Sequence, residues 1–336
     1  MSEPSLVAAG PEDRERWNAF VRDHPEGHFF QSWEWGDLQV ELGATPVRIA
    51  ATEGGRLTGA MLLLLFDTGS RVFSFVPRGP VVDPDDEALA PRFVEAALEL
   101  SRAAGANLVR FEPQWAFTPA RAERFTGRGF AVARQHIMPL RTSIVDLRPP
   151  LDAVWAAFHS NTRNRVRLAE KRGVSVRVAG PDDVPIFARL FEETNQRHAR
   201  RLGRVDQVYL AAKHFGARDA MRLFLARADG EDLAGIVVFP FGRTATYLWG
   251  ASSAAEHARK LNPNQLLHWV AMQWARERGC EAYDLYGIPD FDEETLEAQY
   301  ATRSDGWWNL YRFKRGFGGR VHRHLGTFDF VPRRAE

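Results

Sequence analysis

The sequence is poorest in cysteine and lysine. Cys280 is the single cysteine among 336 residues. One thiol closes no internal disulfide and builds no cysteine-rich metal cage. Lysine occurs four times, at Lys171, Lys213, Lys260 and Lys314, and never earlier in the chain. Residues 1–150 carry 16 arginines against 20 acids, and residues 151–336 carry 28 basic residues against 23 acids. So mild an asymmetry offers local basic patches to a phosphate-bearing partner, not a uniformly basic face. Long apolar runs are also missing. The most apolar stretch, 59–66, is far too short to cross a bilayer. The start has neither the basic region nor the apolar run of a signal peptide, which predicts a cytoplasmic protein. The HExxH, GxSxG and GxxxxGK[ST] patterns are absent, so zinc-peptidase, serine-hydrolase and nucleotide-hydrolase readings lack support.

What is present suits a large α/β protein. Apolar residues make up 45% and charged residues 26%, which excludes wholesale disorder. Apolar periodicity predicts helices over 12–22, 33–42 and 87–104 and strands over 46–52, 59–66 and 71–76. The stretch 75–82 holds two prolines and reads as a loop. A strand over 108–111, a helix over 119–126 and a strand over 130–137 follow. The proline-marked segment 139–150 reads as a strand and the main boundary. Beyond it, helices are expected over 162–172, 184–200, 208–215 and 264–278. Strands are expected over 174–178, 220–228, 233–239, 244–249 and 282–286. In each half a set of hairpin strands precedes a long helix, a glycine and a short strand. That order predicts two copies of one α/β arrangement.

Three clusters carry candidate chemistry. Arg163 and Arg167 are i,i+4 neighbours in the basic stretch 158–173, a pattern that can hold phosphate oxygens or simply face solvent. Thr194, Arg197 and His198 follow one another within about a turn. In the C-terminal stretch 307–326, aromatic residues interleave with Arg312, Lys314, Arg315 and Arg320. This pattern can stack bases and grip phosphates, or it can pin a short helix whose basic heads reach outward. Lys314 stands out in a chain that prefers arginine ten to one. A compact ammonium can approach a developing oxyanion more closely than a guanidinium fork. Asp284 and Tyr286 close a strand just before Gly287.

Six segments together resemble the Fem family of tRNA-dependent aminoacyltransferases that form peptidoglycan bridges. They are HFFQSWEWGDLQ, NTRNRVRLAEKRGVSV, FARLFEETNQRH, ATYLWGASS, NQLLHWVAMQWARERGCEAYDLYGI and NLYRFKRGFGG, in family order across residues 28–319. The resemblance implies two tandem acetyltransferase-like (GNAT-like) domains, each a mixed, largely antiparallel sheet flanked by helices. Residues 1–148 would form the first and 149–319 the second, with 320–336 returning to complete the first. No heptad stretch is present, so the chain looks like the short form without a coiled-coil arm. The implied reaction moves Gly, Ala or Ser from aminoacyl-tRNA to an amine of a nucleotide-linked or lipid-linked murein precursor. It needs no metal or diffusible cofactor. A monomer that touches the inner membrane surface peripherally fits this picture.

By the same resemblance Lys314 matches the family's FK lysine beside the reacting ester, and Asp284 would orient the amine or a neighbouring side chain. Arg197 matches a phosphate-binding arginine. Tyr247 and Trp249 match the aromatic pair of the YLYG strand, with tryptophan in place of the second tyrosine. Trp35 and Tyr286 join the substrate-binding set. Gln39 stands where a phosphate-binding lysine is common, which leaves that task to an arginine such as Arg78 or implies another acceptor. Arg163, Arg167, Arg312, Arg315 and Arg320 are the expected tRNA contacts. Two other classes compete. One is a small-molecule N-acyltransferase with an acyl-coenzyme A donor, although the pyrophosphate loop [QR]xxGx[GA] has no match in place. The other is a non-catalytic RNA-binding protein.

Overall fold

The computed structural model describes residues 4–197 and 203–332. The chain forms two compact units, Met1–Leu140 with Arg323–Glu336, and Arg141–His322. The first holds strands β1 (Ser5–Ala8), β2 (Ala44–Glu53), β3 (Arg56–Asp67), β4 (Val72–Arg78), β5 (Ala106–Pro113) and β6 (Ala131–Val132). The second holds β7 (Arg141–Asp146), β8 (Ser175–Ala179), β9 (Arg222–Ala228), β10 (Glu231–Phe241), β11 (Thr244–Ser252), β12 (Ala282–Ile288) and β13 (Arg320–Arg323). The last strand, β14 (Phe328–Phe330), lies in the first unit.

The first sheet runs in the order β1-β2-β3-β4-β5-β14-β6. Its neighbours are antiparallel except β4 and β5, which are parallel. A parallel pair needs a crossover, and the helix Leu89–Ala103 supplies it. Leu89, Phe93, Val94, Ala97 and Leu98 recur at helical spacing and bury one stripe against the sheet. Phe93 reaches the sheet because Gly59 has no side chain: a Cβ there would lie 2.5 Å from the ring. The stretch 75–82, expected to be a loop, is strand as far as Arg78. Pro77 is tolerated because β3 pairs with β4 only through Phe75, so no partner needs its missing N–H. Its carbonyl instead accepts from Gln31 Nε2 at 2.6 Å. The strand expected over 130–137 shrinks to Ala131–Val132.

The second sheet runs β13-β7-β12-β11-β10-β9-β8. Here β11 and β12 are the parallel pair, and the helix Pro263–Glu277 crosses between them. The segment 141–146, assigned to the first domain from sequence, pairs with β12 in this sheet. The divide therefore falls at residues 140/141 instead of 148/149, because Arg141–Asp146 takes its backbone partners from β12. Arg320–Arg323 also belongs here, while Phe328–Phe330 pairs with β5 and β6 in the first sheet. Both units thus repeat one order: antiparallel strands, a crossover helix, a parallel strand, then an antiparallel neighbour drawn from a distant part of the chain.

Candidate active site

The parallel pair β11 and β12 is joined only at Thr244–Ala282, Ala245–Tyr283 and Thr246–Asp284. Beyond these positions the two strands no longer pair. β11 carries an extra residue at Leu248, since Val237 opposes Trp249 and Val238 opposes Tyr247. β12 breaks its register with β7 between Asp284 and Gly287. Tyr286, in that break, has φ +61°, a conformation that costs a non-glycine residue energy. Asp284 holds it: its Oδ1 accepts from the Tyr286 N–H at 2.7 Å and from the Thr142 hydroxyl. The Gly287 carbonyl, left unpaired toward β11, is where the key cation docks.

That cation is Lys314. It lies on the helix Trp308–Arg315, whose buried stripe runs Trp308, Tyr311, Lys314 at i,i+3 spacing. Lys314 is 2% exposed. Its Nζ donates to the Gly287 carbonyl at 2.7 Å and stands 5.6 Å from the centre of the Tyr247 ring. Burial pulls its pKa down to about 7, against the pull of the nearby Asp284 carboxylate. An ammonium has three donors, so two remain for a ligand. The turn after the helix is pinned by Gly318, at φ +69°, where a Cβ would meet the Ala157 carbonyl at 2.4 Å.

Around Lys314 the structure gathers residues that the sequence did not single out. His268, on the crossover helix, packs edge-on to Tyr247 at 4.5 Å between ring centres and shares a 3.1 Å hydrogen bond with Tyr283. Burial, reinforced by the charge of Lys314, lowers the His268 pKa to about 3, so the ring is neutral. Burial raises Tyr247 to about 12 and Tyr283 well above its usual range. Phe313 and Phe317 close over His268. Tyr247 and Tyr286 are only half-buried and form the accessible part of the group.

The other candidates are placed differently. Trp249 packs against Phe191 of the helix Val184–Arg197 and against Phe239. Tyr247 packs on the crossover helix, so the bulge at Leu248 turns the expected aromatic pair to opposite faces. Arg197 donates to the Ser252 carbonyl and hydroxyl at 2.6 and 3.0 Å. Ser252 is five residues along β11 from Tyr247, roughly 17 Å at strand rise. His198 lies outside the described residues. In the first unit Trp35 packs on Phe29 and Phe30 in the interior, and Gln39 is buried on the same helix. Arg78 is 2% exposed and donates to the Pro139 carbonyl at 2.8 Å. As placed, these three face protein and not solvent.

Of the five arginines expected at tRNA, three are engaged within the unit. Arg163 donates to the carbonyls of Ala156 and Phe158. Arg312 binds the carbonyls of Tyr300, Ala301 and Arg303. Arg315 pairs with Glu297 and stacks on Tyr300. Arg167 and Arg320 are exposed and have no hydrogen-bonded partner among the described residues, although the Arg167 guanidinium lies 5.5 Å from the centre of the Trp155 ring. A wide depression of about 480 Å³ at Arg16, Phe20 and Gly54–Leu57 contains none of the candidates. Among the described residues no group of three or more His, Cys, Asp or Glu is placed to hold a metal ion.

Comparison with known proteins agrees with this architecture. Residues 13–126 match the model of the FemAB family, and residues 156–321 match that of the acetyltransferase (GNAT) domain. The lipid II:glycine glycyltransferase of Staphylococcus saprophyticus is 23% identical, over 94% of this chain and 90% of its own length. Its counterpart from Staphylococcus aureus strain USA300 is also 23% identical with the same coverage. The crystal structure of FemX superposes with a TM-score of 0.83 at 21% identity, covering 98% of this chain and 97% of FemX. With two GNAT-like units in tandem and both models matched in chain order, the chain is similar to the Fem family in its first unit and to GNAT domains in its second, and it shares the fold of FemX.

Proposed function

We propose that this chain is an aminoacyltransferase that moves an amino acid (Gly, Ala or Ser) from aminoacyl-tRNA to an amine of a peptidoglycan precursor. The relatives named lipid II:glycine glycyltransferase support a lipid-linked murein acceptor. Such an acceptor would be met at the cytoplasmic membrane surface; among the described residues no helix is long and apolar enough to cross a membrane.

The observation that carries this reading is Lys314. A cation enclosed by protein, with one hydrogen-bond acceptor and two spare donors, favours any ligand that brings negative charge. In aminoacyl transfer the acceptor nitrogen attacks the ester carbonyl and its oxygen becomes an oxyanion. The bond to the ribose oxygen then breaks, an amide remains, and the attacking nitrogen gives up a proton. Donors aimed at the oxyanion in a water-poor site lower this barrier strongly. Lys314 supplies them. With a pKa of about 7 it also occupies both protonation states near neutrality, so it can lend a proton to the departing ribose oxygen. Asp284 is a positioning residue. Its carboxylate is held by Thr142 and Tyr286, fixes the strained strand end, and keeps Lys314 partly charged.

The test is transfer from radiolabelled charged tRNAs to nucleotide-linked and lipid-linked precursors, with acetyl-coenzyme A as the alternative donor. Product mass then identifies the amino acid and the amine together. Transfer from charged tRNA is expected. Transfer from acetyl-coenzyme A alone would refute the assignment.

A further inference from the structure

Exposed apolar side chains are concentrated at one edge of the first sheet. Val331, Val132 and Ile137, at 69%, 62% and 53% exposure, are the three most exposed large apolar residues among those described. β6 is the last strand of its sheet and pairs with β14 at Phe328–Val132 and Asp329–Ala131. Val331 lies three residues along from Phe328, roughly 10 Å at strand rise. In the other direction, the Ala133 N–H donates to the Thr327 carbonyl at 2.9 Å. The His136 ring shares a 2.8 Å hydrogen bond with the Thr327 hydroxyl, which brings Ile137 alongside. The three side chains thus follow one edge of one unit instead of scattering over the surface.

Charge sets this edge apart as well. From Gly127 to Leu140 the sequence holds Arg128 and Arg134 and no acid. Arg134 is exposed and makes no hydrogen bond or ion pair with a described residue. Arg128 donates to the Arg124 carbonyl at 2.9 Å, which leaves its charge unpaired. Asp329, the acid on β14, is already held by Arg110 through two 2.7 Å hydrogen bonds. Aliphatic groups open to water beside unpaired cations suit a partner that is apolar within and anionic at its face. A second copy suits them less, because a twofold contact would set Arg128 and Arg134 against their own equivalents.

We propose that this edge is where the protein docks on an anionic lipid surface. Val132, Ile137 and Val331 enter the boundary between headgroups and acyl chains, while Arg128 and Arg134 meet the charged headgroups. The docking chemistry stands on these residues alone. Its use, to bring the enzyme to a lipid-linked acceptor, rests on the function proposed above.

Co-sedimentation of the full chain with vesicles tests the surface. The wild type partitions onto vesicles of mixed phosphatidylglycerol and phosphatidylcholine, less onto phosphatidylcholine alone, and added salt weakens the former. Val132→Asp with Ile137→Asp, and separately Arg128→Glu with Arg134→Glu, lower the partition coefficient by about tenfold or more. Circular dichroism and thermal melts stay unchanged. Val178→Asp, at an exposed valine of the second unit, leaves partition as it was. Ile137→Cys carries an environment-sensitive fluorophore, since Cys280 is buried, and its emission shifts to the blue on the anionic vesicles. In transfer assays the edge variants raise the KM for a vesicle-borne precursor and leave that for a nucleotide-linked precursor alone. Equal partition of wild type and edge variants, or an unmoved fluorophore, would overturn the proposal. So would a lipid-free dimer that the Val132→Asp, Ile137→Asp variant abolishes, which would give the edge to a second copy. Vesicle binding that the variants lose, with no transfer to either precursor, upholds the docking surface and refutes the proposed reaction.

Discussion

The Lys314 ammonium faces the ring of Tyr247 at 5.6 Å while it donates to the Gly287 carbonyl. Cation, ring and carbonyl belong to a helix and to the two strands that stop pairing beside it. Removing the ammonium is therefore expected to disable transfer without unfolding the protein. Lys314→Met keeps the length and apolar stem of the side chain. Single-turnover transfer should fall by about 10²-fold or more, with near-native circular dichroism. Tyr247→Phe should cost much less, since the ring and not the hydroxyl faces the cation.

The same lysine makes stability depend on pH. Its pKa is about 7 in the folded chain and 10.5 when exposed. Below pH 7 both states are protonated and the fold bears the full cost of burying the charge. Between about pH 7 and 10.5 the unfolded chain binds more protons, so stability rises with pH across that window. Denaturant melts of the wild type should show this rise, and Lys314→Met should flatten it while gaining a few kcal/mol near neutrality.

His268 acts at the acid side. Its pKa of about 3 lies below the 6.5 of an exposed imidazole. As pH falls below 6.5 the unfolded chain takes up a proton that the folded chain refuses, and stability drops until about pH 3. His268→Phe should reduce the slope between pH 6.5 and 4 in the same denaturant melts. An unchanged slope would mean that the ring can be protonated in place.

The arginines should separate into two classes. Arg163→Ala strips donors from two carbonyls and should lower stability by roughly 1–2 kcal/mol. Arg167→Ala and Arg320→Ala should leave stability within about 0.5 kcal/mol. If these two contact tRNA, each should also reduce the salt dependence of tRNA binding in a filter or anisotropy titration.

In the first unit Phe328 stacks on Phe125 at 4.5 Å, and Asp329 forms two 2.7 Å hydrogen bonds with Arg110. Phe328→Ala should cost roughly 3–5 kcal/mol in chemical denaturation, because the ring is almost fully enclosed.

Much of the architecture was legible because amphipathic stripes and alternation survive in the sequence. The crossover helices and the hairpin strands emerge within a few residues of their expected places. Lys314 was legible by its rarity, and its position on a stripe otherwise apolar is a second signal that could have been used. His268, Tyr283 and Thr142 were not, because no local pattern marks them, His268 being a single polar residue inside an apolar run, and only the fold brings them to Lys314. The bulge at Leu248 was equally hidden, and one extra residue was enough to part Tyr247 from Trp249. Nor does an arginine announce whether its fork will meet solvent or a neighbouring carbonyl, as Arg163, Arg312 and Arg315 show.

β14 is inserted between β5 and β6, with more than 180 residues of the second unit encoded before it. The N-terminal half of the protein, although made first on the ribosome, cannot close its sheet until the closing residues have left the exit tunnel. Until then the hydrogen-bonding groups of β5 that will receive β14 stay open for mispairing. A premature stop at any codon before β14 thus damages the part of the molecule that had already been synthesised.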